Sequence, residues 1–271
     1  MARINGAELY HEISGEGYPL VLLHDGLLDS RVWDEQFEIF SESYETIRYD
    51  RRGYGRSRSP SSEFSHVEDL RALLGFLGVG RTHLLGASNG GRIAVDFALQ
   101  YPGMVRSMIL VAPNLSGYRI SSEMQRSVSA IFSVAREEGI SRWQEMWLDD
   151  PFWAPDKKHT AVRRKIETLL VTAFHNFFDN PLRPARQEPP AVGRLSEIKV
   201  PTLIVIGERD APDNHAIADT LEVGISEAEK MVMPATGHML NLEKPEEFNR
   251  LVLRFLERLG TEGRGKSDDR H

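Results

Sequence analysis

The chain has 271 residues, 41% of them hydrophobic and 27% charged, with 33 Lys+Arg against 40 Asp+Glu for a formal charge of −7. This balance fits one large domain, or one domain with an insertion, and excludes both predominant disorder and a basic surface for nucleic acid. The absence of cysteine removes disulfides, thiolate catalysis and Cys-ligated metal centres.

Residues 1–6 lack the apolar segment of a signal peptide, and no apolar run approaches the ~18 residues of a membrane span. The expectation is a cytoplasmic protein with no membrane contact. Asn5-Gly6 between two short extended stretches predicts a β-hairpin at one edge of a sheet. Leu20-Val21-Leu22-Leu23 is a continuous apolar run of the kind found in strands buried on both faces. Ser65-His66-Val67-Glu68 matches a capping box, after which Leu70, Leu73, Leu74 and Leu77 share one helical face. Further buried strands are predicted around Leu84-Leu85, at 108–111 and at 203–206, with an extended stretch at 230–233. Pro245 opens a last helix with Phe248, Leu251, Val252, Phe255 and Leu259 as its buried stripe and Gly260 as its end. Strands alternating with helices predict an α/β fold around a mostly parallel central sheet flanked by helices.

The alternation is interrupted over 115–190, which reads as helices without strands. Met124, Val128, Ile131 and Phe132 share one face, Trp143, Met146 and Trp147 a second, and Val162, Ile166, Leu169, Leu170, Ala173, Phe174 and Phe177 a third. The expected organisation is a core of 1–114 and 191–260, an inserted helical cap at 115–190, and a disordered polar tail at 261–271. Three of the four Trp residues (Trp143, Trp147 and Trp153) fall in the insertion. Singly they read as its core; as a group they are candidates for lining a pocket above the sheet.

Gly86-Ala87-Ser88-Asn89-Gly90 is a G-x-S-x-G pattern placed where an apolar strand ends and a helical pattern begins. Such a turn holds a serine in strained backbone geometry with its hydroxyl presented, and its neighbours must be small. A serine hydroxyl needs a base, and the base an orienting acid. Asp210 and His238 each follow the C-terminal end of a predicted strand, where open α/β sheets place their sites. Asp25, Glu208 and Asp213 match the position of the acid less well.

Over nearly its whole length the chain resembles the α/β-hydrolase superfamily. The resemblance rests on Leu22-Leu23-His24-Asp25-Gly26, on the stretch from Tyr49 to Ser57 (Tyr-Asp-Arg-Arg-Gly-Tyr-Gly-Arg-Ser), on the Ser88 turn, and on the Asp210 and His238 loops. It implies a triad of Ser88, Asp210 and His238, with the main-chain N–H groups of Gly26 and Asn89 as the oxyanion hole. Where the family has His-Gly-x, this chain has His24-Asp25-Gly26. Asp25 is expected to turn to solvent or to bond nearby backbone, with contact to a cationic or hydroxylated substrate as the second reading. His24 is expected to be a hydrogen-bonded structural histidine, and Arg51, Arg52 and Arg56 to shape a tight loop. The other histidines show no metal-ligand spacing, and no metal or cofactor is implied.

The segment from Gly237 to Pro245 is similar to that of 3-oxoadipate enol-lactonases and related small-ester hydrolases. The expected function is therefore cleavage of a small ester or lactone through an acyl-enzyme on Ser88. Carbon–carbon bond hydrolases and perhydrolases share the triad, and a ligand-binding receptor retaining the fold is the alternative from another class. Ser88 excludes the branches that use an aspartate nucleophile. A P-loop is excluded because Arg92-Ile93 replaces its Lys-Ser/Thr, and His83 breaks a dinucleotide fingerprint after Gly78-Val79-Gly80. Substrate candidates in the cap are Trp143, Trp147 and Phe174.

Overall fold

A computed structural model describes residues 1–57, 63–178, 184–185 and 188–264, without the side chains of 174–178 and 261–264. In chain order its strands are β1 (Ala2–Ile4), β2 (Ala7–Leu9), β3 (His11–Ser14), β4 (Pro19–Leu23), β5 (Glu45–Tyr49), β6 (Thr82–Ala87), β7 (Val105–Val111), β8 (Thr202–Gly207) and β9 (Ala228–Met233). The α-helices are α1 (Asp34–Phe40), α2 (His66–Phe76), α3 (Asn89–Gln100), α4 (Ser122–Glu137), α5 (Ile140–Asp149), α6 (Thr160–Phe178), α7 (Pro212–Gly224), α8 (Leu240–Glu243) and α9 (Pro245–Arg264).

Seven strands form one sheet in the order β3-β5-β4-β6-β7-β8-β9, parallel except for the antiparallel β3–β5 pair. The apolar run Leu20–Leu23 is completely buried at its centre, and burying each such side chain contributes about 1.5–3 kcal/mol. The chain runs from β4 outward to β5 and then crosses back to β6 on the other side of β4. That reversal opens a crevice at the C-terminal ends of β4 and β6, the position where such sheets bind ligands.

The Asn5-Gly6 hairpin forms, but β1 and β2 make a separate two-stranded sheet rather than an edge of the main one. It is tied down by polar contacts. Arg52 Nη2 donates to the carbonyls of Ile4 and Asn5 at 3.2 and 3.1 Å, and its Nε and Nη2 grip Asp69 on α2 at 2.8 and 2.7 Å. Ser65 caps α2 by accepting the Glu68 N–H at 3.3 Å, as its capping box requires.

Between β7 and β8, α4, α5 and α6 form a helical insert over the sheet's C-terminal edge. Trp143 and Trp147 are buried in it. The Asp213 carboxylate on α7 accepts from the N–H and hydroxyl of Ser121, the residue that caps α4, both at 2.6 Å. The last helix continues through Gly260 to Arg264. An internal glycine costs a helix only about 1 kcal/mol, and Leu259 just before it still packs on the core. The remainder of the expected tail, 265–271, lies outside the described residues.

Candidate active site

Ser88 sits between β6 and α3 with φ 49° and ψ −112°, a left-handed backbone that a non-glycine residue adopts only when its surroundings hold it there. Its N–H donates to the Val111 carbonyl at 2.8 Å, and its own carbonyl accepts from the N–H groups of Asn114 and Arg92 at 2.9 and 3.1 Å. Gly90 makes the turn possible, because a Cβ there would collide with the carbonyl oxygens of Leu23 and His24.

Asp210 and His238 lie in the loops after β8 and β9, and both are buried. His238 Nδ1 is 3.1 Å from each carboxylate oxygen of Asp210, which fixes this nitrogen as the proton-bearing one. Asp210 Oδ1 also accepts from the Ala211 N–H and from Asn214 Nδ2, both at 2.7 Å. Burial opposes protonation of His238, but the Asp210 charge and hydrogen bond, assisted by Asp25 and Glu243, outweigh it and raise the pKa above the ordinary 6.5.

The loop after β4 is held from beneath. The Arg51 N–H donates to His24 Nε2 at 3.0 Å, so His24 carries its proton on Nδ1 and donates it to the Asp25 carbonyl at 3.0 Å. Burial first, then the Arg51 charge, hold His24 well below the ordinary pKa. Arg51 Nη2 also donates to the Asp25 carbonyl, and Tyr54 Oη donates to the Gly26 carbonyl at 2.9 Å. Arg56 bonds Asp50, so the three loop arginines are engaged structurally, as expected.

Asp25 corrects the first half of its expectation. It is 5% exposed, not turned to solvent, and its Oδ1 accepts the N–H groups of Leu27 and Leu28, both at 2.8 Å. Burial raises its pKa, against the pull of those two N–H groups, Arg51 and His238.

These elements enclose a cavity of about 200 Å³. Asp25, Gly26, Leu27, Ser88, Asn114, His238 and Met239 form its floor, and Val128, Ile131, Phe132, Trp143, Trp147 and Trp153 descend from the insert. Of the residues expected from the sequence, Ser88, His238, Gly26, Trp143 and Trp147 border this cavity, and Asp210 contacts His238 behind it. Asn89 begins α3 directly after Ser88, and a Cβ on Gly26 would lie 3.2 Å from the Asn89 Cβ, so their backbones flank the same floor. The Phe174 side chain lies outside the described residues. Trp153 was expected only as one of the pocket-lining tryptophans and Asn214 was missed, and both lie against His238. Trp153 meets its ring edge-on at 5.0 Å between centroids, and Asn214 Nδ2 lies 3.1 Å from its Nδ1. Asn214 had a faint signal, being four residues after Asp210 at the start of a helix.

Residues 18–245 match the family model described as the alpha/beta hydrolase fold. A 2-hydroxy-6-oxononadienedioate/2-hydroxy-6-oxononatrienedioate hydrolase of Burkholderia vietnamiensis is 29% identical, over 94% of this chain and 93% of its own. Among solved structures, Est816, described as an N-acyl homoserine lactone degrading enzyme, is similar at 26% identity and TM-score 0.74, covering 93% of this chain and 98% of that one. A thermophilic esterase from Thermogutta terrifontis superposes with TM-score 0.79 at 25% identity, covering 93% and 94%.

Proposed function

The chain belongs to the α/β-hydrolase fold family, and from that premise we propose that it hydrolyses a small ester or lactone lacking a carboxylate, through an acyl-enzyme on Ser88. In this reading Ser88 Oγ attacks the acyl carbon while His238 Nε2 takes its proton. Asp210 keeps the proton of His238 on Nδ1 and stabilises the imidazolium that forms. The N–H groups of Gly26 and Asn89 receive the oxyanion, and losing one such donor typically costs ~10²–10³ in rate. The imidazolium then protonates the departing alkoxide. Water, deprotonated by His238, attacks the acyl-enzyme, and the collapse of the second intermediate returns the proton to Ser88.

The observation that carries the choice of substrate is the lining of the cavity. Among the described residues its polar side chains are Ser88, Asn114, His238 and Asp25, its roof is aromatic and aliphatic, and no Lys or Arg lines it. A site that takes a carboxylate inside a low-dielectric pocket needs a cation or several donors to replace lost water. The dienedioate of the Burkholderia relative's name would bring two carboxylates against Asp25 instead. The lactone-degrading and esterase neighbours support the ester or lactone reading. Carbon–carbon bond hydrolysis is the second reading, favoured by that relative.

Intact-mass labelling with a small fluorophosphonate, on wild type and Ser88→Ala, tests the nucleophile. A single adduct on wild type that vanishes in the variant supports the reading, and no adduct on folded wild type overturns it. Turnover of phenyl esters and γ- to ε-lactones against a 2-hydroxy-6-oxo dienoate then decides the bond class.

A further inference from the structure

Among the described residues Asp25 is the one acidic side chain lining the cavity, and its two oxygens are used differently. Oδ1 is saturated by the N–H groups of Leu27 and Leu28. Oδ2 takes no hydrogen bond from any described residue, while the residue borders the same space as Ser88 and His238. The nearest arginine lends the carboxylate its charge but no hydrogen bond, because Arg51 spends Nη2 on the Asp25 carbonyl and lays its guanidinium over the Tyr54 ring, 4.3 Å from the centroid.

An acceptor oxygen that borders the cavity and takes no protein donor is open to a donor carried by a ligand. We propose that Asp25 is a substrate-selecting residue, whose Oδ2 receives a hydrogen-bond donor, most strongly an ammonium group, carried by the substrate close to its scissile carbonyl. This deepens the ester reading, on which the identity of the scissile bond rests, but the preference for a cation follows from the cavity alone. The aromatic roof suits the same ligand class. Trp143, Trp147 and Trp153 offer rings to an apolar body, and ring faces attract cations. An ammonium seated against Asp25 also favours the ionised carboxylate that burial disfavours.

The test does not require turnover. The tryptophans of the pocket report occupancy by fluorescence, so the protein is titrated near neutral pH with 2-phenylethylamine and with 3-phenylpropanoate, ligands of similar size and opposite charge. Wild type is expected to bind the amine about 10- to 100-fold more tightly, the range of one hydrogen bond to a charged group. Asp25→Asn keeps an oxygen for Leu27 and Leu28 and turns the free Oδ2 into a donor, so the order should collapse or reverse. Equal binding of the two ligands by wild type, or an order unchanged in Asp25→Asn, overturns the proposal. If the variant does not fold, the wild-type ratio decides alone. Rates on phenyl alaninate and phenyl propanoate complete the test. Preference for the amine with no turnover of either ester leaves Asp25 assigned and removes the ester reading. Turnover of both with no preference for the amine does the reverse.

Discussion

The indole of Trp153, from the segment between α5 and α6, stands perpendicular to the imidazole of His238, with ring centroids 5.0 Å apart and planes at 87°. The insert therefore touches the proposed base itself and does more than cover the pocket. Edge-to-face pairs are worth about 0.5–1.5 kcal/mol beyond their buried area. Trp153→Leu, which keeps an apolar side chain without the ring, is expected to lower kcat/KM by about 2- to 10-fold. Steady-state kinetics with a short-chain phenyl ester check this, and an unchanged value would mean that the contact does not orient His238.

The acid limb of kcat/KM should report His238. Its pKa lies above 6.5 because Asp210, and then Asp25 and Glu243, outweigh the burial that opposes protonation. The base works as the neutral ring, so activity should rise with pH through a midpoint above 6.5. Glu243 accepts the Gly237 N–H at 3.0 Å, a bond that glutamine retains while losing the charge. Glu243→Gln should therefore move the limb to lower pH, and a limb that stays in place would exclude Glu243 from tuning the base. The stability sign is the opposite of the activity sign. Folding favours the protonated ring, so that contribution is present below 6.5 and is lost as pH rises through the raised value.

Much of this was legible before the structure, for specific reasons. Leu20–Leu23 announces a doubly buried strand because no polar residue interrupts it, and Ser88 announces its turn because Gly86 and Gly90 leave few alternatives. By contrast, β5 hides in Glu45-Thr46-Ile47-Arg48-Tyr49, which reads as mixed and polar. Arg48 is tolerated there because it pairs with Glu12 on β3 and Asp34 on α1, each at 2.6 Å. Those partners are distant in sequence, so no local pattern could reveal them. The same holds for Trp153, whose role follows from where the insert lands, and for Asp25, whose inward position depends on two backbone N–H groups.

Gly90→Ala should damage the serine turn directly. The added Cβ would meet the backbone oxygens of Leu23 and His24, which cannot move without disturbing the loop that carries Gly26. Overpacking of this kind costs about 1–3 kcal/mol, or roughly 2–10 °C in Tm for a chain of this size. Calorimetry and fluorophosphonate labelling together check it. The expected result is a lower Tm with labelling of Ser88 slowed in the fraction that remains folded, and native Tm with native labelling would show that the turn has slack.

Beneath the same turn, Arg92 connects the proposed oxyanion residue to a buried acid. Its Nε donates to the Asn89 side-chain oxygen at 2.6 Å and its Nη1 to Asp96 Oδ2 at 2.9 Å, while Asp96 Oδ1 is buried with no hydrogen-bond partner among the described residues. Burial, only partly offset by Arg92, pushes the Asp96 pKa up to about 6. An acid whose folded pKa is raised favours the native state while protonated, so stability should decline as pH rises from the ordinary carboxylate range through 6. The displacement of about two pH units corresponds to about 3 kcal/mol. Asp96→Asn cannot ionise and keeps an oxygen for Arg92, so it should lack this decline. Urea unfolding at pH 5 and pH 8 captures the later half of the decline, about 1.4 kcal/mol. Parallel losses in wild type and variant would mean that Asp96 is ionised throughout and that the Arg92 pair, not the burial, governs its charge.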